Sequence, residues 1–429
     1  MSRRLTQYKA RFYPVLIGAM ALSGMAVAGP VKAVGDGSGT DNQRLLPGQY
    51  PAAYDPLTPE AQLREPYTPF FEVGWSVALR GAFRHDKDGE HYDAIIAPSV
   101  SLTHTGTRSS IGFTGSAEVQ QPVGGEININ ALRLGLGAGY ELDPDTTLTG
   151  NASFALTTPP RGTPGQAATI ALAPTTISGG GDLGVTRKFG KFNVSLTGSV
   201  ARTLYGTTTM TDGSVLDNSD QNFWALDSGL RVGFQATPIF EVFGQAGLGR
   251  DIFDKPSSVL LVKTDATQAQ IQGGIKGQWS SVLSAQASVG LGLRRFDETS
   301  LGQVNSTLYN ASVTFAPDET WKATGGFSTT VTPPGPLGSG TTRIEYAATA
   351  EIDHLINSWL AVRGQGAWRS ARFDGSTDTE TGYGYGVGAD YILTKHTSFS
   401  ADYAFEHADT TATGPEDSHR VTLGITVKR

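Results

Sequence analysis

Gly382-Tyr383-Gly384-Tyr385-Gly386-Val387-Gly388-Ala389-Asp390-Tyr391-Ile392-Leu393 places Tyr383, Tyr385, Val387, Ala389, Tyr391 and Leu393 at every second position, with glycine or aspartate between most of them. After Thr394-Lys395-His396 the alternation resumes as Phe399, Ala401, Tyr403 and Phe405 against Ser398, Ser400, Asp402 and Glu406. The chain ends on Val421, Leu423, Ile425 and Val427, with Thr422, Gly424 and Thr426 between. Successive side chains of a strand point to opposite faces, so period two over this length means long strands with one apolar face. Here the other face is glycine and polar atoms. Long strands of that kind, joined by short turns, describe a closed antiparallel transmembrane β-barrel with lipid outside and water inside.

The same reading extends back to Glu72 and gives eighteen alternating segments, an all-β fold of 16–18 strands. In the first, Val73, Trp75, Val77, Leu79 and Phe83 oppose Ser76, Arg80 and Arg84. The cleanest sets Leu132, Leu134, Leu136, Ala138, Tyr140 and Leu142 against Arg133, Gly135, Gly137, Gly139 and Glu141. Another sets Trp224, Leu226, Leu230, Val232 and Phe234 against Asp227 and Arg231. Short connections, such as Asp143-Pro144-Asp145 and Phe189-Gly190-Lys191, are expected to alternate strictly with long loops. The long loops are Pro159–Thr176, Gly206–Gln221, Asp251–Thr264, Pro333–Thr342 and Ala408–Ser418. Closure removes every unpaired edge from lipid. Two aromatic girdles are expected: Trp279, Phe315, Trp321, Trp359, Tyr391 and Phe399 beside the turns, and Phe83, Tyr205, Trp224, Phe296 and Tyr383 nearer the loops.

Composition agrees. There are 54 glycines in 429 residues, well above the ordinary share of about 7%, and inward glycines in curved strands would account for them. The chain has no cysteine, which excludes a disulfide framework and thiolate metal sites. Arg3, Arg4, Lys9 and Arg11 precede the apolar run Val15–Ala28, and Ala26-Val27-Ala28 is a small-residue cleavage site. Residues 1–33 therefore read as a signal peptide, 34–70 as a flexible periplasmic leader and 71–429 as the barrel. Removing 1–33 takes away five basic and no acidic residues, so the formal charge goes from −7 to −12. An acidic chain with no basic cluster argues against nucleic acid as a partner.

Two short stretches carry a family resemblance. Tyr92-Asp93-Ala94-Ile95-Ile96-Ala97-Pro98-Ser99-Val100-Ser101-Leu102-Thr103 resembles the early strands of the putative β-barrel porin family of Gram-negative outer membranes. Asp390-Tyr391-Ile392-Leu393-Thr394-Lys395-His396-Thr397 is similar to a turn late in many porins. The resemblance implies an outer-membrane location and insertion by the barrel assembly machinery. Outer-membrane lipid and small hydrophilic solutes would be the partners, and self-association is left open. One departure is the end, Val427-Lys428-Arg429, where many such barrels carry an aromatic residue.

Other chemistry is poorly supported. The glycines of Gly135-Leu136-Gly137-Ala138-Gly139 alternate along a strand and open no helix, so a dinucleotide loop fails. The seven histidines lack metal spacing, and Asp212, Asp217 and Asp220 read as an acidic loop without the twelve-residue calcium pattern. No local motif raises one serine to a nucleophile, so neither an enzyme nor a cofactor is expected. The candidate site is the lumen, lined by Arg80, Arg84, Arg133, Asp227, Arg231, Glu241, Arg294, Arg343, Glu345, Arg363, Arg369, Asp390 and Asp402. Such a mixed lining would hold water and bias ion passage. Its simplest alternative is charge pairing that only keeps a wet interior satisfied. Passive passage of small solutes is the expected function; an export conduit or scaffold for surface polysaccharide is the alternative.

Overall fold

The structure is a computed structural model, and it describes residues 71–160 and 163–429. The expected signal peptide and leader, residues 1–33 and 34–70, lie outside the described residues. In chain order the strands are β1 (Glu72–Asp86), β2 (Gly89–Thr105), β3 (Ser109–Pro122), β4 (Asn128–Asp143), β5 (Thr146–Thr157), β6 (Ile170–Leu172) and β7 (Thr176–Phe189). Then come β8 (Phe192–Tyr205), β9 (Thr208–Met210), β10 (Val215–Leu216), β11 (Phe223–Thr237), β12 (Phe240–Phe253), β13 (Ala266–Trp279) and β14 (Leu283–Phe296). The last seven are β15 (Gln303–Phe315), β16 (Trp321–Thr332), β17 (Thr342–Asn357), β18 (Leu360–Asp374), β19 (Thr379–Thr394), β20 (Thr397–Thr410) and β21 (Gly414–Lys428).

Eighteen of these form one antiparallel sheet, and β6, β9 and β10 form a small second one. β21 returns to β1 in a register running from Ser76 opposite Lys428 to His85 opposite His419. Arg429 N–H donates to the Trp75 carbonyl at 2.9 Å and fastens the seam. The wall is a closed barrel. Its strands run to 12–17 residues, beyond the ~9–11 needed to cross a bilayer.

Exposure separates the two faces. Val387 on the outer face of β19 is 60% exposed, whereas the Arg363 side chain, opposite Gly388 on the inner face, is 10% exposed. Inner glycines have a steric cause at particular positions: a Cβ at Gly274 would come within 2.5 Å of the inward Phe243 ring. The start of β1, the end of β21 and the shortest turns share one end, which is the periplasmic end of such barrels. Those turns use one device, in which the residue before the turn accepts from the amides after it. Asp318 Oδ1 takes the Thr320 and Trp321 amides at 2.7 and 3.0 Å. Asn357 Oδ1 takes those of Trp359 and Leu360 at 3.0 and 2.9 Å.

Three expectations need correction. The outer connections do not alternate strictly as long loops, since 87–88, 375–378 and 411–413 are short. The expected loop Ala408–Ser418 is mostly strand, because β20 and β21 continue upward with polar outward residues such as His407, 2.6 Å from Asp417. Above the apolar belt, pairing persists while hydrophobic alternation fades. Both girdles are present, as in Trp359 with Tyr391 (5.4 Å) and Tyr383 with His407 (4.8 Å). Phe296 is not in the upper one. It is 3% exposed, in a cluster with Ala266, Val304 and Ile344. Tyr205 also turns inward, on the face of Thr203.

Candidate functional site

The lumen is built by register. Arg363 on β18 stands opposite Gly388 on β19, and Gly388 stands opposite Asp402 on β20. A Cβ at position 388 would collide with both charged groups. The glycine therefore leaves the space through which Arg363 reaches across a strand. Its guanidinium binds Asp402 through Nη2 and Asp390 through Nη1. This triad occupies the periplasmic half of the inner wall.

Further up and around, the same logic recurs. Arg231 donates to Glu241 Oε1 at 3.0 Å and to Gln286 Oε1 at 3.3 Å, and lies 3.6 Å over the Phe243 ring. The planar cation is held flat against the wall by stacking and by a fork of acceptors. At the external end Arg343 joins Glu345 (2.5 Å) and Glu380 (2.9 Å). Arg84 meets Asp86 at 2.9 Å beside the β1–β2 turn. It also faces Arg420 across the closing seam. Arg80 and Asp227 make no ion pair among the described residues. Arg133 and Arg369 stand on the same inner face, on β4 and β18.

All thirteen candidate residues are on the inner face, but Arg294 does not line water. It is 2% exposed and donates to Asp251 Oδ2 at 2.6 Å. Its ladder partner Val304 packs against Ile344, and these side chains cover it. The cover arises because β15 pairs with β16 only from Asn310 to Phe315. Above that, the β16–β17 edge packs its Ile344 and Val331 on Phe296 and Val304 of the β14–β15 inner face.

Loops narrow the external end. Residues 333–341 lie against inward side chains: Tyr205 Oη is 3.7 Å from where a Cβ of Gly335 would stand, and Phe373 abuts Gly338. Tyr205 belongs to β8, far around the wall from β16 and β17. From another side Gly165 N–H donates to Glu416 Oε2 at 2.9 Å, and Lys87 binds Glu416 and the Gln166 carbonyl (3.4 Å). Sequence reasoning missed Asp86, Asp251, Glu380, Glu416 and Tyr205. Asp251 is within reach of parity, but the loop expected over Asp251–Thr264 begins with it, whereas β12 runs on to Phe253 past the outward Arg250 that breaks the apolar pattern. The three aspartates of the 206–222 loop have other duties. Asp212 and Asp217 each accept from a serine two residues on, and Asp220 accepts from the Ser258 amide.

A closed wall of this size with a charged inner face matches one family profile, described as "Putative beta-barrel porin 2", over residues 81–429. The chain belongs to that family. As a member of this porin family it is an outer-membrane channel protein. A comparison with curated proteins gave no match. Among solved structures it is similar to OccK5 (OpdH) of Pseudomonas aeruginosa, at 9% identity and TM-score 0.40, covering 83% of this chain and 98% of that one. The OpdK structure of Pseudomonas aeruginosa with vanillate gives 10% and 0.42, covering 83% and 99%. The copper transporter OprC gives 8% and 0.43, covering 84% and 80%. Family membership rests on the profile, and closure of the barrel on the strand register.

Proposed function

We propose that this porin-family barrel passes small hydrophilic solutes passively. What supports the reading is the inner wall. It presents charged and amide side chains along its height, while the membrane-facing middle of the outer wall is a mainly apolar belt with aromatic borders. An interior of that chemistry favours water and polar solutes, and rings of charge bias which ions pass. Eighteen strands enclose a lumen wide enough for an aqueous path. The 333–341 loop, with Arg343, Glu345 and Glu380 beside it, forms the external constriction that sets the size limit. The Arg363–Asp390–Asp402 triad sets charge preference nearer the periplasm. Passage needs no catalytic group, cofactor or energy source.

The test is single-channel conductance of the refolded mature barrel in a planar bilayer. Steady unitary steps are expected, with ion selectivity altered by Arg133→Glu or Arg363→Glu. A heat-modifiable, folded barrel that gives no steps would overturn the reading.

A further inference from the structure

The outer wall of a barrel should be a convex band of side chains facing fluid lipid. Here it carries a groove of about 800 Å³. One flank follows a single ladder row from Leu196 through Ile271 to Thr307. The other flank is the next outward row, from Ser228 through Leu248 and Leu293 to Asn305. Between them lies a row of inward-pointing residues that includes Gly229, Gly247 and Gly292, so the floor there is bare backbone. Strands in such barrels tilt by about 35–45°, so a ladder row climbs obliquely through the membrane.

The upper end of the groove is polar. Beyond Asn305 and Thr307 the next strand, β16, has left the wall, and the lining passes to Tyr346 of β17 and Arg372 of β18. Arg295 stands two residues above Leu293 on the same outer face, and Arg250 two above Leu248, with Thr267 between the two arginines. Arg250 is engaged by Asp297 at 2.5 Å and by Thr267 at 2.8 Å. Arg295 and Arg372 are exposed, and neither has an ion-pair partner among the described residues. Exposed cations at the outer rim of a lipid-facing surface fit an anionic headgroup in the outer leaflet.

We propose that this groove binds a phosphorylated lipid of the outer leaflet. An acyl chain lies between the two rows, and the phosphate sits at Arg295 and Arg372. The apolar flanks alone would take any membrane lipid. Arg372 in the groove's lining and Arg295 just above Leu293, neither with an ion-pair partner among the described residues, select a phosphate-bearing headgroup, and the oblique course of the rows lets one molecule span both features. Tyr346, Asn305 and Thr307 lie at that end as further donors to headgroup oxygens.

The test is native mass spectrometry of the full folded barrel, titrated with bis-phosphorylated lipid A, its monophosphoryl form and a phosphatidylcholine of similar chain length. One retained lipid A per barrel is expected, weaker retention of the monophosphoryl form, and none of phosphatidylcholine. Charge-assisted contacts of this kind have ordinary strengths that make the Arg295→Gln/Arg372→Gln pair cost about tenfold or more in affinity. Arg295→Lys/Arg372→Lys should recover part of it. Arg187→Gln, an outward arginine at the periplasmic end, should change nothing. Ala269→Phe, which fills the groove without touching charge, should also weaken retention. Equal retention of phosphatidylcholine would reduce the groove to ordinary lipid contact and overturn the proposal. So would unchanged lipid A binding by the folded double glutamine variant, or full displacement by millimolar inorganic phosphate. If that variant does not fold, the order of the three lipids on the wild-type barrel decides.

Discussion

Arg294 and Asp251 offer the sharpest test of the packing argument. Their side chains are 1% and 4% exposed and 2.6 Å apart. Nε and Nη2 of Arg294 have no hydrogen-bond partner among the described residues. Asp251, by contrast, also accepts from Gln268 Nε2 at 2.8 Å. Opposite charges about 4 Å apart attract by about 4 kcal/mol at an effective dielectric of ~20. Burial costs several kcal/mol for each ion, so the pair roughly breaks even against an apolar replacement. Removing one partner is another matter. Asp251→Leu strands a buried guanidinium with no acceptor and should cost about 3–5 kcal/mol. Arg294→Met leaves Asp251 with Gln268 and should cost less than that. The Asp251→Leu/Arg294→Met double variant should return to within about 1 kcal/mol of wild type, a coupling that only direct contact produces. The assay is urea unfolding of the refolded barrel in detergent, followed by tryptophan fluorescence and by heat-modifiable migration. If Asp251→Leu unfolds within about 1 kcal/mol of wild type, or the two single effects add, water reaches the pair. The cover of Ile344 and Val304 would then be absent in the folded protein.

Three further outcomes follow from the lumen and its turns. Arg363→Glu changes the net charge at the Arg363–Asp390–Asp402 site from −1 to −3. For an ion ~10 Å away in water that is about 0.8 kcal/mol before screening, falling to roughly 0.3 kcal/mol near a Debye length at 0.1 M salt. Because cation and anion shift in opposite directions, reversal potentials should report about a threefold gain in cation preference. Replacing residues 335–340 by a short glycine link should raise unitary conductance and admit larger neutral polymers, as polymer-exclusion recordings would show; an unchanged step would clear that loop of the constriction. At the periplasmic end, the Thr320 hydroxyl and then the Thr320 and Trp321 amides hold the Asp318 carboxyl below its ordinary value. A group lowered on folding lends its support above its unfolded value near about 3.9 and loses it as pH falls through the lower folded one. Exchange of the Trp321 amide should therefore quicken relative to neighbouring amides only below about pH 4, and Asp318→Ala should abolish that dependence.

The barrel wall was legible because lipid outside and water inside impose period two directly on the chain. Gly384, Gly386 and Gly388 against Tyr383, Tyr385 and Val387 encode both faces without reference to any distant residue. The same parity placed Arg363, Asp390 and Asp402 inside, and register then brought them together across Gly388. What parity does not encode is whether an inner position meets water. Arg294 and Arg363 have the same sequence signature. They differ because β16 leaves β15 above Asn310, and that departure depends on Ile344 meeting Val304 forty residues away in the chain.

The mouth follows the same rule more strongly. Tyr205 with Gly335 and Glu416 with Gly165 each join the upper end of a strand to a loop that starts several strands away around the wall, and no local alternation announces the pairing. Their partners are fixed only after the wall closes and sets the chord each loop must cross. Wall and mouth are thus determined at different levels. The first is local alternation repeated eighteen times. The second is a small number of long-range contacts that single substitutions can remove while the wall persists. Permeation in this family member should accordingly vary far more readily than its fold: changes at 333–341, Tyr205 or Glu416 should retune the lumen and leave β-sheet content and heat-modifiable migration unchanged.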